Sequence, residues 1–135
     1  MTKVFDELVD IIKYIEEMLP DGGIVLLVGD LASGKTTLVQ NFVKTLGLKD
    51  EATSPTFSIL NIYDDKVYHY DIYNEGSDKF MQSGLLENLE LEGYHFIEWA
   101  DEKLEGMIKA TGFEFMKIKI EHREKNRVYK VSDGS

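Results

Sequence analysis

Residues 24–36 constrain the fold of this chain more than any other segment. Five apolar residues at 24–28 are followed directly by Gly-Asp-Leu-Ala-Ser-Gly-Lys-Thr at 29–36, where a helical pattern begins. Glycines at 29 and 34 let the chain curl so that consecutive backbone N–H groups point inward, and the helix adds its positive N-terminal end. The segment therefore predicts a strand, a phosphate-binding loop (P-loop) and a helix in register.

This loop predicts a site for a nucleoside triphosphate. We expect Lys35 to reach the outer phosphates and the Thr36 hydroxyl to ligate the Mg²⁺ that bridges them. The loop residues expected to surround the phosphates with backbone N–H groups are Asp30, Leu31, Ala32, Ser33 and Gly34.

Size and composition limit the remaining possibilities. A chain of 135 residues with 43% hydrophobic content predicts a single P-loop domain over residues 1–135, without room for a lid domain. The absence of cysteine excludes disulfides and cysteine-rich metal sites. No apolar run approaches membrane-spanning length, and the acidic N-terminus is unlike a signal peptide. We therefore expect a cytoplasmic protein without membrane contact.

The net charge of −10 argues against direct binding of nucleic acid. Basic side chains nevertheless gather near the end of the sequence: Lys117, Lys119, His122, Arg123, Lys125, Arg127 and Lys130. We favour interpreting this segment as a solvated pair of edge strands with protective lysines, while a docking surface for an acidic partner stays open.

Apolar periodicity and turn residues outline the elements. Helical spacing from Val4 to Met18 predicts an amphipathic helix that ends at the turn 20–23, and a second helix over 35–46 ends at Gly47. The elements predicted further along are a hairpin of strands 57–63 and 66–72 with a turn at Asp64-Asp65, short helices within 74–93, a strand at 94–98, a helix at 101–108, and a closing hairpin of 113–121 and 127–131. Together they predict an α/β fold, a P-loop NTPase-like mixed sheet of parallel and antiparallel strands flanked by helices.

Two carboxylates are candidates for a metal-binding or catalytic role beside the loop. Asp71 ends the strand pattern 67–70, and Glu98 ends the pattern 94–97. Strand-end acids near a P-loop hold magnesium and place the attacking water, although ordinary solvated carboxylates occur there too. Trp99, next to Glu98, is a core residue on this reasoning alone.

The string Ser-Pro-Thr at 54–56 lies between the predicted P-loop helix and the next strand. A segment that senses the γ-phosphate is expected at this place, with Thr56 supplying a hydroxyl. A strand-initiating turn fixed by Pro55 explains the string equally well.

Four motifs in order resemble the TsaE family (also known as YjeE), small bacterial P-loop ATPases that serve synthesis of threonylcarbamoyladenosine in tRNA. The motifs are Gly-Asp-Leu-Ala-Ser-Gly-Lys-Thr-Thr at 29–37, Ser-Pro-Thr-Phe at 54–57, His-Tyr-Asp-Ile-Tyr at 69–73 and Ile-Glu-Trp at 97–99. They resemble that family's P-loop, switch segment, His-x-Asp-x-Tyr motif and Glu-Trp motif. The resemblance covers roughly residues 5 to 105.

The resemblance implies a role for each matching residue. Lys35 would bind the β- and γ-phosphates of ATP, Thr36 and Glu98 would hold Mg²⁺, and Thr37 would lie near the α-phosphate. Asp71 would act as catalytic base or as an outer-shell magnesium partner.

The remaining matches concern the switch and the partners. Thr56 would belong to the switch loop, and Trp99 would lie close to the nucleotide. The family works with the TsaB and TsaD subunits, where ATP hydrolysis is thought to reset the transferase complex, so tRNA is met only through that complex. Two positions depart from the family pattern: Ala32 stands where Gly is usual, and Asn74 where Arg is usual.

Other protein classes fit less well. A small P-loop kinase usually gathers several arginines around the transferred group, and this chain has only Arg123 and Arg127. A regulatory GTPase would carry an Asn-Lys-x-Asp segment, which the sequence lacks. A nucleotide-gated protein-binding module with incidental hydrolysis is the remaining alternative.

Overall fold

The strands that the structure describes form one sheet. The computed structural model describes residues 3–30, 34–49, 51–53, 59–73, 76–82, 84–123 and 126–133. Its strands are β1 (Lys3–Phe5), β2 (Gly22–Val28), β3 (Glu51–Thr53), β4 (Leu60–Tyr63), β5 (Val67–Asp71), β6 (Gly93–Glu98), β7 (Phe115–Arg123) and β8 (Asn126–Asp133).

Helices cover both faces of this sheet. They are α1 (Leu8–Met18), α2 (Lys35–Thr45), α3 (Gly76–Gln82), α4 (Leu85–Asn88) and α5 (Glu102–Ala110). Among the described residues, no helix is long and apolar enough to cross a bilayer.

The strand order is β1-β8-β7-β2-β6-β5-β4-β3. Strands β7, β2, β6 and β5 run parallel, whereas the outer pairs are antiparallel. This confirms the mixed α/β sheet. The carboxyl ends of the four parallel strands lie side by side at the same end of the sheet. Folds of this kind bind ligands at that end.

Strand β2 explains why an unbroken apolar run precedes the loop. Val25 and Leu27 pack into the core under α1 and α2, while Ile24 and Leu26 pack under α3 to α5. A parallel strand covered on both faces needs apolar side chains on both faces. The segment that follows β2 therefore begins at the centre of the sheet.

Several local predictions are confirmed. In the turn between β4 and β5, which spans residues 64–66, Asp64 has φ 52° and Asp65 has φ 53°, the left-handed values of a tight hairpin turn. Gly47 follows α2 at φ 72°. The short helices, the strand that ends at Glu98 and the helix after Asp101 lie where the sequence indicated.

The predicted start of the first helix is wrong. Val4 and Phe5 belong to β1, which pairs antiparallel with β8, and the helix begins only at Leu8. Val4 matches the helical spacing, but its side chain is exposed. Backbone pairing with a distant strand therefore decides the conformation, and a local period cannot reveal that pairing.

The interpretation of the C-terminal hairpin as a pair of edge strands is also wrong. Strand β7 lies between β2 and β8, and β1 covers the far side of β8. The sheet edges are β1 and the unpredicted β3, each three residues long. Several basic side chains here pair with acids, since Glu121 accepts hydrogen bonds from Arg123 at 3.0 Å and from Lys130 at 3.1 Å.

Candidate functional site

Two acidic residues lie next to each other where β5 and β6 end. Asp71 and Glu98 are register partners on these adjacent parallel strands, so their side chains share a face of the sheet. Glu98 is 3% exposed, whereas Asp71 is exposed and its Oδ1 accepts a hydrogen bond from the Tyr73 backbone N–H. Only Asp71 therefore has the solvation of an ordinary strand-end acid.

The buried Glu98 carboxylate connects the sheet to the P-loop helix. The Thr36 hydroxyl donates a hydrogen bond of 2.9 Å to Glu98 Oε2. The His69 Nε2 atom, on β5, contacts the same oxygen. A buried carboxylate requires such partners because its desolvation is costly.

The Thr36 and Glu98 oxygens are spaced as neighbouring ligands of Mg²⁺. With Mg–O bonds of about 2.0–2.1 Å in an octahedron, adjacent oxygens lie about 2.9 Å apart. The Thr36 Oγ1 to Glu98 Oε2 distance is 2.9 Å. In the parts of the chain that the structure describes, no three His, Cys, Asp or Glu side chains form a metal cluster. Two protein oxygens suit an ion that takes its remaining ligands from phosphate and water.

Lys35 is the first residue of α2, and its side chain contacts the residues that directly follow β2. Its side chain is 4% exposed, and its Nζ donates hydrogen bonds to the Gly29 carbonyl at 2.7 Å and the Asp30 carbonyl at 2.8 Å. Burial lowers the pKa of the Lys35 ammonium, an effect partly offset by the negative charges of Glu98, Asp30 and Asp71. A desolvated ammonium of this kind is a strong partner for an anion.

Trp99 contacts the Lys35 ammonium group. The Lys35 Nζ lies 4.1 Å from the centroid of the Trp99 ring, a cation–π contact. Trp99 has φ 70°, which is rare for a large side chain, and its ring also packs against Tyr73 at 4.6 Å. Trp99 is thus both packed against the apolar core and in contact with the P-loop lysine.

Arg127 reaches the P-loop from β8. A Cβ atom placed on Gly34 would lie 2.8 Å from the Arg127 Nε and 2.9 Å from its Cδ. Within the described residues, the Arg127 Nε is buried without a hydrogen-bond partner. The side chain therefore brings a positive charge with an unused donor to the start of α2.

We expect Gly34→Ala to destabilise the protein by about 1–3 kcal/mol, because Gly34 has φ 111° and its space is filled by Arg127. Gly106→Ala is the matched control. Gly106 lies within α5, where an added methyl group would have nothing within 4 Å, so alanine there should stabilise by about 0.5–1 kcal/mol. Urea unfolding of both variants measures the difference. If Gly34→Ala is as stable as Gly106→Ala or more stable, the argument from the φ angle and packing of Gly34 is wrong.

The structure brings together five of the residues predicted for the site: Lys35, Thr36, Asp71, Glu98 and Trp99. Asp30 contributes its backbone carbonyl to Lys35. Thr37 lies in the first turn of α2, where its carbonyl accepts a hydrogen bond from Asn41. The predicted residues that lie outside the described ranges are Leu31, Ala32, Ser33, Thr56 and Asn74.

His69, Tyr73 and Arg127 lie at the site although no sequence pattern predicted a site role for them. His69 had a usable signal, since it precedes Asp71 by two positions on a strand and must therefore share its face. Tyr73 belongs to the same motif as His69 and Asp71, His-Tyr-Asp-Ile-Tyr at 69–73. Arg127 had none, because its position beside Gly34 depends on the order of strands in the sheet.

Sheet topology and the helices on both faces place this chain in the class of α/β proteins with a mixed parallel and antiparallel sheet. Comparison with known proteins identifies the family within that class. The family model described as threonylcarbamoyl adenosine biosynthesis protein TsaE matches residues 2–129. The chain belongs to the TsaE family, which is involved in tRNA threonylcarbamoyladenosine biosynthesis.

Curated relatives support the same assignment. Each of the following is named tRNA threonylcarbamoyladenosine biosynthesis protein TsaE. The protein from Treponema pallidum is 37% identical, with 64% of this chain and 67% of the relative covered. The Bacillus subtilis protein is 36% identical, with 67% and 64% covered, and the Nostoc protein is 34% identical, with 75% and 69% covered. The match thus spans about two thirds of these relatives' length.

A solved structure supports the fold. The crystal structure of Bacillus subtilis YdiB superposes with a TM-score of 0.55 at 21% identity, covering 100% of this chain and 86% of that one.

Proposed function

We propose that this protein is a Mg²⁺-dependent ATPase that acts as an accessory protein to the threonylcarbamoyl transferase complex. The observation that carries the proposal is the pair of oxygens on Thr36 and Glu98, which are 2.9 Å apart and flank the start of the P-loop helix. Family membership supplies the pathway, and the choice of ATP follows from the resemblance in the four motifs.

Binding would rest on the positive groups around the loop. Lys35 would exchange its hydrogen bonds to the Gly29 and Asp30 carbonyls for bonds to the outer phosphate oxygens. The start of α2 offers backbone N–H groups to the same anion, and Arg127 adds a second cation. These groups would give a strongly acidic chain a local site for a polyphosphate.

Thr36 and Glu98 would hold the metal ion at the phosphates. When bound, Mg²⁺ neutralises charge that develops on the β- and γ-phosphate oxygens. Asp71 is the exposed acid next to Glu98. We assign it the task of orienting the attacking water and accepting its proton.

Hydrolysis would be slow without partners, since the sequence contains only two arginines, Arg123 and Arg127, that could stabilise the transition state. TsaB and TsaD are the proposed partners, with ATP binding governing association through the segment that includes Thr56. The net charge of −10 favours contact with tRNA only through this complex.

The decisive experiment measures ATP hydrolysis and tRNA modification with TsaB and TsaD added or omitted. We expect slow turnover by the isolated protein, faster turnover with the partners, and multiple rounds of modification only when all components are present. If the partners neither bind the protein nor change its turnover, the proposal is wrong. Nucleotide-dependent binding with negligible turnover would instead identify a nucleotide-gated binding module.

A further inference from the structure

His69 is a buried polar residue that the proposed chemistry leaves unused. It is 5% exposed and lies on β5 two positions before Asp71, on the face of the sheet that α2 covers. Its Nε2 contacts Glu98 Oε2. Burying an imidazole requires a hydrogen-bond partner, and here that partner is the proposed metal ligand.

Two contacts of Glu98 converge on a single oxygen. Thr36, on α2, and His69, on β5, both bond to Oε2. A glutamate side chain has three rotatable bonds, and two partners on different elements restrict them far more than one partner does. The carboxylate is therefore held from the helix and from the neighbouring strand at once.

We propose that His69 is a positioning residue for the metal site. It fixes the Glu98 carboxylate so that Oε2 already lies at ligand spacing from Thr36 Oγ1 before a nucleotide binds. The role rests on the proposed function, because it needs a Mg²⁺-bound nucleotide beside Glu98. Carboxylates that ligate metals are themselves held by outer hydrogen bonds, and loss of such a bond weakens metal affinity about 10–100-fold.

The chain contains a matched control for this role. His95, on the neighbouring strand β6, is another buried histidine and is 1% exposed. Its Nδ1 lies 2.7 Å from the Tyr70 hydroxyl, and its Nε2 lies 2.8 Å from the Leu91 carbonyl. Its contacts belong to the opposite face of the sheet, so its loss should cost stability without touching Glu98.

The test is calorimetric titration with ADP and with a non-hydrolysable ATP analogue, in EDTA and across a range of Mg²⁺ concentrations. We expect His69→Leu to raise the half-maximal Mg²⁺ concentration about 10–100-fold. Its nucleotide affinity in EDTA should stay within about twofold of the wild-type protein, because the substitution leaves the loop intact. His69→Gln, which keeps an N–H donor, should recover most of the loss, and His95→Leu should leave the Mg²⁺ requirement unchanged.

An unchanged Mg²⁺ requirement in His69→Leu, or an equal shift in His95→Leu, would overturn the positioning role. If His69→Leu does not fold, His69→Gln is compared with His69→Asn, whose shorter side chain should raise the Mg²⁺ requirement about tenfold. Equal values for those two variants would also overturn it. If the wild-type protein shows no Mg²⁺-dependent nucleotide binding, the proposed function itself fails and this role fails with it.

Discussion

Lys35→Ala is expected to abolish measurable triphosphate binding. The Lys35 Nζ lies beside the Gly29 and Asp30 carbonyls at the mouth of the loop, from which it would reach the phosphates. Two charge-assisted contacts of about 1.5–3 kcal/mol each correspond to a loss of about 100-fold or more in affinity. Calorimetry with ATP measures it. Lys44→Ala is the control, because Lys44 lies exposed in the last turn of the same helix.

The loss should come from binding and not from unfolding. Burial lowers the pKa of Lys35 in the folded protein, so the charged form costs stability below that pKa. Stability then rises with pH between the folded-state pKa and the usual lysine value, where the unfolded chain holds more protons. Lys35→Met should therefore be at least as stable at neutral pH and should lose that alkaline increase. Unchanged ATP affinity in a folded Lys35 variant would refute the P-loop assignment.

Glu98→Ala and Asp71→Ala are expected to affect different steps. Glu98 is buried and bonded to Thr36, so its removal should raise the Mg²⁺ requirement for nucleotide binding about 100-fold. Asp71 is exposed beside it, so its removal should leave that requirement within a few fold while slowing hydrolysis about 10²–10⁴-fold.

Paired titrations and single-turnover assays separate the two effects. Glu105→Ala serves as a control, since Glu105 lies on α5 and pairs with Lys117 at 2.8 Å. The reverse order of effects at 71 and 98 would exchange the proposed roles of the two acids.

Local patterns were sufficient for strand β2 and helix α2, because glycine placement and apolar periodicity act over a few residues. They also found Asp71 and Glu98 as strand ends. What they could not give is that β5 and β6 are neighbours, which is why Glu98 is buried against Thr36 and His69. Strand order depends on contacts between residues far apart in sequence.

The same reason accounts for the errors. Val4 fits a helical period but pairs with Lys130 in β8. The basic hairpin resembles a pair of edge strands until β1 is known to cover it. No sequence pattern connects Arg127 with Gly34. The two residues are close because β8 lies two strands from β2 in the sheet, and that strand order is not visible in the sequence. Predictions about Leu31, Ala32, Ser33, Thr56 and the departure at Asn74 stay predictions.

The hydrogen bond between Thr36 and Glu98 joins positions 62 residues apart in the sequence. A ligand bound by both residues would link the first half of the chain to the second. It would therefore stabilise the protein against any unfolding step that separates the two halves. At a ligand concentration 100 times the dissociation constant, such linkage adds about 2.7 kcal/mol to stability. The lifetime of this protein against cellular proteases would then follow the supply of magnesium nucleotide, and starvation for energy would shorten it.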